Sequence, residues 1–165
     1  MKLNTSELAL FGILGGLIFA LKVAMMGLPN IEPTSLLVML YAVLFGRKSV
    51  FPITVYILLE FALYGLNIWS VSYLYIWFLL ALAAWYLRDM QSPLGWAMLS
   101  GIFGLLFGAL CTPACLFVGG PAYAFSWWVN GISFDLIHCA ANFTIALILF
   151  CPLRRLGEQL YRKKF

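Results

Sequence analysis

The chain has 165 residues, of which 64% are hydrophobic and only 10% are charged, and its mean hydropathy is +1.00. Soluble domains carry about 25% charged residues, so the composition excludes a soluble fold and predicts an integral membrane protein of one domain. The net charge of +4 does not indicate nucleic-acid binding, because the basic residues stand at the ends of apolar segments. No cleavable signal peptide is expected, since the first apolar run is long and contains Lys22.

Apolar segments separated by polar or Gly/Pro-rich breaks predict an all-α bundle of six transmembrane helices. A sheet is not expected, because the segments lack a two-residue alternation and an open sheet edge cannot face lipid. The second segment is short for a span, so either it starts inside the preceding loop or it is buried among the other helices. In chain order the predicted helices cover residues 7–27, 34–46, 50–66, 71–87, 94–118 and 132–153, and a basic tail covers 154–165.

The positions of lysine and arginine predict the orientation in the membrane. They occur at the N-terminus, in the second and fourth connections and in the tail, whereas the other three connections contain none. Basic residues favour the cytoplasmic side, so both termini are predicted to be cytoplasmic. The residues that support this orientation are Lys2, Arg47, Lys48, Arg88, Arg154, Arg155, Arg162, Lys163 and Lys164.

Ionisable side chains inside the predicted helices all fall in the outer half of the membrane. Asp135, His138 and Asn142 have spacings that place them on one face of the last helix, and Glu60 shares a face of the third helix with two tyrosines. Polar groups within an aromatic-lined hollow are typical of a small-molecule pocket. The predicted substrate-binding residues are Asn30, Glu32, Glu60, Tyr64, Trp69, Tyr73, Trp77, Trp128, Asn130, Asp135, His138 and Asn142.

Simpler explanations exist for several of these residues. The tryptophans suit a membrane-interface belt, Asn142 suits a hydrogen bond between helices, and Asp135 and His138 suit a contact with each other across one turn. Lys22 could extend towards the membrane surface, or pair with Glu60 or Asp135. These explanations do not account for the presence of polar groups on three helices at one end, so the pocket is the preferred interpretation.

Small residues recur every four positions on the first helix, at Gly12, Gly16, Ala20 and Ala24. Such a ridge allows another helix to approach closely, and its length favours an interface with a partner subunit. The looser glycine series of the fifth helix favours packing within the bundle. Cys111 and Cys115 lack the CxxC spacing of a redox pair, so no metal and no cofactor are expected. No nucleotide-binding or hydrolase motif is present.

A small six-helix chain with the Gly12-to-Ala24 ridge, the loop "LPNIEPTSLLVMLYAVLFGRK" and the final helix "GISFDLIHCAANFTIALILFCPL" resembles the substrate-binding S component of energy-coupling factor transporters. The resemblance covers nearly the whole chain. It implies a non-enzymatic subunit in a prokaryotic plasma membrane that binds a vitamin or vitamin precursor from outside. It also implies a membrane T subunit facing the ridge, two partner subunits that hydrolyse ATP, and a lid formed by the loop at residues 28–34.

The resemblance also limits the substrate. Nickel and cobalt members begin with a metal-capturing histidine, but Lys2 stands second here, which disfavours a metal. An aromatic heterocycle, such as a thiamine pyrimidine or a pyridoxine form, fits the predicted rings and hydrogen-bonding groups. Two alternatives remain: a small membrane enzyme using Asp135, His138 and the cysteines, and a structural membrane subunit without a ligand.

Overall fold

The computed structural model describes residues 3–28 and 30–164, and the side chains of these except 162–164. Lys2, Pro29 and Phe165, which belong to the predicted orientation, loop and tail, lie outside the described residues, as do the side chains of Arg162, Lys163 and Lys164. The chain is 87% helical and its described residues form no strand, which confirms the all-α fold class.

The fold consists of apolar helices joined by short connections. The helices are α1 (Thr5–Ala24), α2 (Thr34–Phe45), α3 (Val50–Tyr64), α4 (Ile68–Tyr86), α5 (Pro93–Leu105) and α6 (Phe107–Lys164), with a 3-10 turn at Gly46–Ser49. Among the described residues, the stretches long and apolar enough to cross a membrane are Thr5–Ala24, Thr34–Tyr64, Ile68–Tyr86 and Pro93–Tyr161. Their length and composition are compatible with a membrane protein.

The chain reverses direction within the stretch that contains α2 and α3. Near the start of α1, Glu7 forms an ion pair with Lys48, and near its end Lys22 forms one with Glu60. Helices α1 and α3 therefore run in the same direction, and α2, which precedes α3 in sequence, runs in the opposite direction. The reversal occurs at Gly46–Ser49, where Gly46 has a positive φ of 56° that favours glycine.

A second reversal divides α6 into two arms, residues 107–119 and 121–164, at Gly120 (φ 75°, ψ −175°). The conformation of Gly120 is essentially restricted to glycine. Pro121 then begins the second arm. Proline is favourable there, because the N–H that it lacks would have no partner within the first helical turn. The break between α5 and the first arm is milder, and it lies at Leu106.

The second arm packs antiparallel to α5 and the first arm. Trp96 stacks on Phe150 with ring centres 4.1 Å apart, and nearer the turn the N–H of Gly108 donates to Asp135. The paired residues therefore approach Gly120 from both sides in sequence, as expected for antiparallel segments. The hairpin is closed by this one non-helical residue.

Glycines make this hairpin tight, as the sequence predicted for the fifth helix. A Cβ atom at Gly101 would lie 3.2 Å from Cβ of Phe143, and one at Gly104 would lie 2.8 Å from the carbonyl of His138. At Gly108 a Cβ atom would clash with the carboxylate of Asp135. The looser glycine series therefore serves packing within the chain.

The largest differences from the predicted boundaries lie in the second half of the sequence. Residues 121–131, which were predicted as part of a loop, are helical, and so is the predicted tail up to Lys164. The predicted helix 94–118 is interrupted at Leu106. The Gly/Pro/Asn content indicated a long loop, but Asn130 donates to the carbonyl of Ser126 one turn earlier and is accommodated within the helix.

Helix α2 lies at the centre of the bundle, where it packs against α4 and α6. All its residues from Thr34 to Ala42 are buried. At 12 residues it is roughly 18 Å long, shorter than the ~30 Å hydrocarbon core of a bilayer. Its burial agrees with the second of the two predictions for this segment. A helix that is apolar on all sides is expected to be buried.

The two ends of the bundle differ in their connections. The Gly120 end contains the connection between α1 and α2, the short connection Gly65–Asn67 and the Gly120 turn. The Arg47 end contains the Gly46–Ser49 turn, the connection between α4 and α5, and the end of α6.

We predict opposite effects for alanine at two adjacent glycines of α1. A Cβ atom at Gly15 would lie 2.6 Å from the carbonyl oxygen of Pro52 and from Cβ of Val55, whereas one at Gly16 meets nothing within 4 Å. Gly15→Ala should lower the apparent thermal unfolding midpoint, because overpacking costs about 1–3 kcal/mol. Gly16→Ala should leave it unchanged or raise it, since alanine favours helix by about 1 kcal/mol. Equal midpoints would contradict the α1–α3 packing.

Candidate functional site

An ion pair at the end of α1 organises the Gly120 end of the bundle. The Nζ atom of Lys22 lies 2.7 Å from Oε2 of Glu60 on α3 and 3.0 Å from the hydroxyl of Tyr73 on α4. It also lies 4.7 Å from the centre of the Tyr73 ring. The side chain of Glu60 is only 4% exposed. Of the alternatives predicted for Lys22, the structure shows pairing with Glu60.

A cavity of about 200 Å³ opens beside this ion pair. Of the residues predicted to bind substrate, Asn30, Glu32, Tyr64, Trp69, Tyr73 and His138 line the cavity. The remaining lining residues are Lys22, Met25, Met26, Leu28 and Phe107. The cavity therefore draws its wall from α1, the following connection, α3, α4 and both arms of α6.

His138 is a buried polar residue that lines this cavity. The residue is 2% exposed, and neither ring nitrogen has a hydrogen-bond partner within the described part of the chain. Its ring meets that of Phe107 edge to face at a centre-to-centre distance of 4.9 Å. Buried polar atoms are almost always hydrogen-bonded, so these two nitrogens are candidates for hydrogen bonds to water or to another molecule in the cavity.

Aromatic rings form the apolar part of the wall. Trp69 stacks on Phe107 with ring centres 6.3 Å apart, and Tyr73 meets the same phenylalanine at 6.4 Å. Trp77 is fully buried behind them and does not line the cavity, but its ring lies 5.8 Å from that of Phe107. The predicted aromatic wall is therefore present, with Trp77 as its support.

A second cavity of about 480 Å³ shares a wall with the first. Asn30, Trp69 and Phe107 line both cavities. Asn30 adopts a positive φ of 58° and donates from its amide to the carbonyl of Phe134, 3.2 Å away. This bond attaches the connection between α1 and α2 to α6 at the boundary between the cavities. Asn130 and Asp135 line the second cavity only.

Asp135 has a partner of its own. Because helical hydrogen bonding is interrupted near Leu106, the N–H of Gly108 donates to the carboxylate, 3.0 Å from Oδ1 and 3.2 Å from Oδ2. A carboxylate at the start of a helical segment also interacts favourably with the helix dipole. Asp135 thus stabilises the α5–α6 hairpin, and it does not pair with His138.

Two other predicted residues lie apart from the first cavity. The amide of Asn142 donates to the hydroxyl of Ser35, 3.0 Å away, and to the carbonyl of Ser100, 3.3 Å away. It therefore joins α2, α5 and α6 below the cavity, as the simpler explanation for this residue proposed. Trp128 is 40% exposed and lines neither cavity.

Glu32 is the half-buried carboxylate of the cavity rim. Desolvation by burial raises its pKa, and the nearby positive charge of Lys22 partly offsets this rise. Within the described residues Lys22 forms its ion pair with Glu60, so Glu32 has no ion-paired partner. The side chain of Thr34 and the charge of Lys22 both lower the pKa of Glu32, which shows that its carboxylate lies near these two residues.

Five cavity residues were not among the predicted binding residues, and two of them, Lys22 and Phe107, make the contacts described above. Lys22 carried a usable signal, because a charge inside an apolar helix usually faces a cavity or a partner. Phe107 carried none, since it is one of many phenylalanines and its position depends on the break at Leu106.

The ridge on α1 faces away from the rest of the chain. A Cβ atom at Gly12 or at Gly16 would meet no atom within 4 Å, and Ala20 and Ala24 are exposed. The close internal contact of α1 is made by Gly15 instead. The cysteines are unpaired, and no group of three or more metal-ligating side chains occurs among the described residues.

Comparison of the chain with protein-family models, with curated proteins and with solved structures finds no match.

We predict that Asn142→Ala lowers the apparent thermal unfolding midpoint. Loss of the amide leaves Ser35 and the carbonyl of Ser100 without this donor, at a cost of about 1–3 kcal/mol. Thr144→Ala, two residues further along the same helix but exposed, is the control. Equal midpoints for the two variants would show that Asn142 does not hold the helices together.

Proposed function

We propose that the chain is the substrate-binding membrane subunit of an energy-coupled uptake system, equivalent to an S component. The observation that carries this proposal is the cavity beside Lys22, with aromatic walls and a buried histidine whose nitrogens have no partner among the described residues. Such a combination of apolar surface and a few convergent polar groups is typical of a small-molecule site.

The proposed orientation places this cavity on the outer side of a prokaryotic plasma membrane. The two chain reversals support six membrane spans with both termini in the cytoplasm. Apart from Lys22, every described lysine and arginine lies at or beyond the Arg47 end. Basic residues favour the cytoplasmic side, so the Gly120 end faces outside and receives substrate there.

The proposed substrate is a vitamin or vitamin precursor with an aromatic heterocycle, such as a thiamine pyrimidine or a pyridoxine form. A cavity of about 200 Å³ suits one ring system. The rings of Trp69, Tyr73 and Phe107 offer stacking surfaces, while His138 and Glu32 supply hydrogen bonds to the ring edge.

Energy for uptake is proposed to come from partners, namely a membrane T subunit and two ATP-hydrolysing subunits. The chain itself is proposed to be no enzyme and to use no cofactor. The enzymatic alternative is less well supported, because Asp135 bonds to Gly108 and His138 contacts Phe107. The exposed ridge from Gly12 to Ala24 is the proposed contact with the T subunit, since small residues allow close helix approach.

We predict that the purified chain retains a small molecule that mass spectrometry detects after denaturation. His138→Leu should reduce the retained amount about tenfold, because the imidazole nitrogens would no longer meet the ligand, and two hydrogen bonds contribute about 0.5–1.5 kcal/mol each. Cys139→Ser is the control, since Cys139 neighbours His138 but does not line the cavity. A chain that retains nothing and is stabilised by no vitamin in a thermal-shift panel would contradict a binding function.

A bulky residue on the ridge should separate binding from transport. Ala20→Leu should abolish uptake by cells that also express the partner subunits, because the leucine prevents close helix approach. Ligand retention by the isolated variant should be unchanged, since Ala20 lies outside the cavity. Leu17→Ala, on an exposed position of the same helix, is the control for uptake. Loss of retention in Ala20→Leu would refute the separation of the two surfaces.

A further inference from the structure

Charge is divided unequally between the Gly120 end and the Arg47 end of the bundle. Nine of the ten lysines and arginines are at positions 2, 47, 48, 88, 154, 155, 162, 163 and 164, and the tenth is Lys22. Lys22 lies at the Gly120 end, which contains the two cavities described above. Three of the six carboxylates lie at the same end, namely Glu32, Glu60 and Asp135. The Gly120 end therefore carries more negative than positive charge, although the whole chain has a net charge of +4.

The positive charge of Lys22 is already neutralised. Its Nζ atom contacts Oε2 of Glu60, the hydroxyl of Tyr73 and the face of the Tyr73 ring. Glu60 does not line the cavity and approaches Lys22 from behind the cavity wall. A ligand carboxylate would have to compete with Glu60 for this ammonium group. Lys22 is therefore poorly suited to recognise an anion.

The charge that remains at the cavity is negative. Glu32 lines the first cavity without an ion-paired partner among the described residues, and Asp135 lines the second cavity beyond the shared wall. Asp135 accepts only the uncharged N–H of Gly108, so its charge is not cancelled. Burial raises the pKa of Glu32, and a cation bound beside it would lower that pKa again, so binding of a cation favours the ionised carboxylate.

Aromatic faces surround the same space. Tyr64, Trp69, Tyr73 and Phe107 all line the first cavity. Aromatic faces attract cations, and this attraction is stronger when water is excluded. The surroundings of Lys22 illustrate this preference, since its ammonium lies 5.8 Å from the Tyr64 ring centre and 4.7 Å from that of Tyr73.

From this combination we infer that the substrate is a small aromatic organic cation. The inference rests on the proposed binding function and narrows its substrate class. The positive charge lies against Glu32 and the rings, and the aromatic ring of the ligand stacks between Trp69, Tyr73 and Phe107. His138 provides one hydrogen-bond donor and one acceptor in its neutral form for the remaining polar atoms.

Three probes of similar size and different charge test the inference: 2-phenylethylammonium, 2-phenylethanol and phenylacetate. Their affinities for the full chain in lipid nanodiscs are measured by calorimetry at pH 7.5. The cation should bind at least about tenfold more tightly than the alcohol, and phenylacetate should bind most weakly. Glu32→Gln should reduce the preference for the cation over the alcohol by about tenfold, because the amide keeps a hydrogen-bonding oxygen but removes the negative charge.

Asp89→Asn is the matched control, because it removes an exposed carboxylate at the Arg47 end and should not alter the preference. Any molecule that co-purifies with the chain should carry a positive charge. Equal or tighter binding of the alcohol or phenylacetate, or a neutral or anionic co-purified molecule, would overturn the cation inference and leave a binding function intact. If no probe binds and no molecule co-purifies, both the inference and the proposed function fail.

Discussion

The ion pair between Lys22 and Glu60 is the interaction on which the Gly120 end depends. In an apolar bundle, a buried charge without a partner costs several kcal/mol, so each member of the pair requires the other. The pair holds the end of α1 against α3, and the hydroxyl of Tyr73 attaches both to α4. With α1 held there, the connection to α2 passes over the cavity, and Asn30 reaches the carbonyl of Phe134 on α6.

One face of α6 shows how three polar side chains can serve different purposes. Asp135 accepts the N–H that the break near Leu106 makes available, and Asn142 joins three helices. His138 lies between them and has no hydrogen-bond partner in the described residues. The two satisfied residues hold the helix in place, and the unsatisfied one lines the cavity. Residues that join helices thus flank a residue that lines the cavity on a single helical face.

The sequence predicted much of the fold and part of the site. Apolar runs and breaks predicted the all-α class, and helical spacing placed Asp135, His138 and Asn142 on one face. The partners of these residues could not be predicted, because they depend on how neighbouring helices pack. Helix α4 begins at Ile68, earlier than predicted, since the side chain of Asn67 caps it by accepting the N–H of Ser70. The long loop predicted before the last helix was wrong because one glycine completes the turn.

The single-residue turn at Gly120 restricts how this protein can change over evolution. Loops of several residues absorb insertions, but a turn of one residue transmits any added or lost residue directly to the register of both arms. A shift by one position would rotate the second arm by about 100° and move Asp135 away from Gly108. Replacement of side chains on this side of the cavity, by contrast, leaves the register of both arms intact. The connection between α1 and α2, whose residues form the opposite rim of the cavity, can change in length without altering this register.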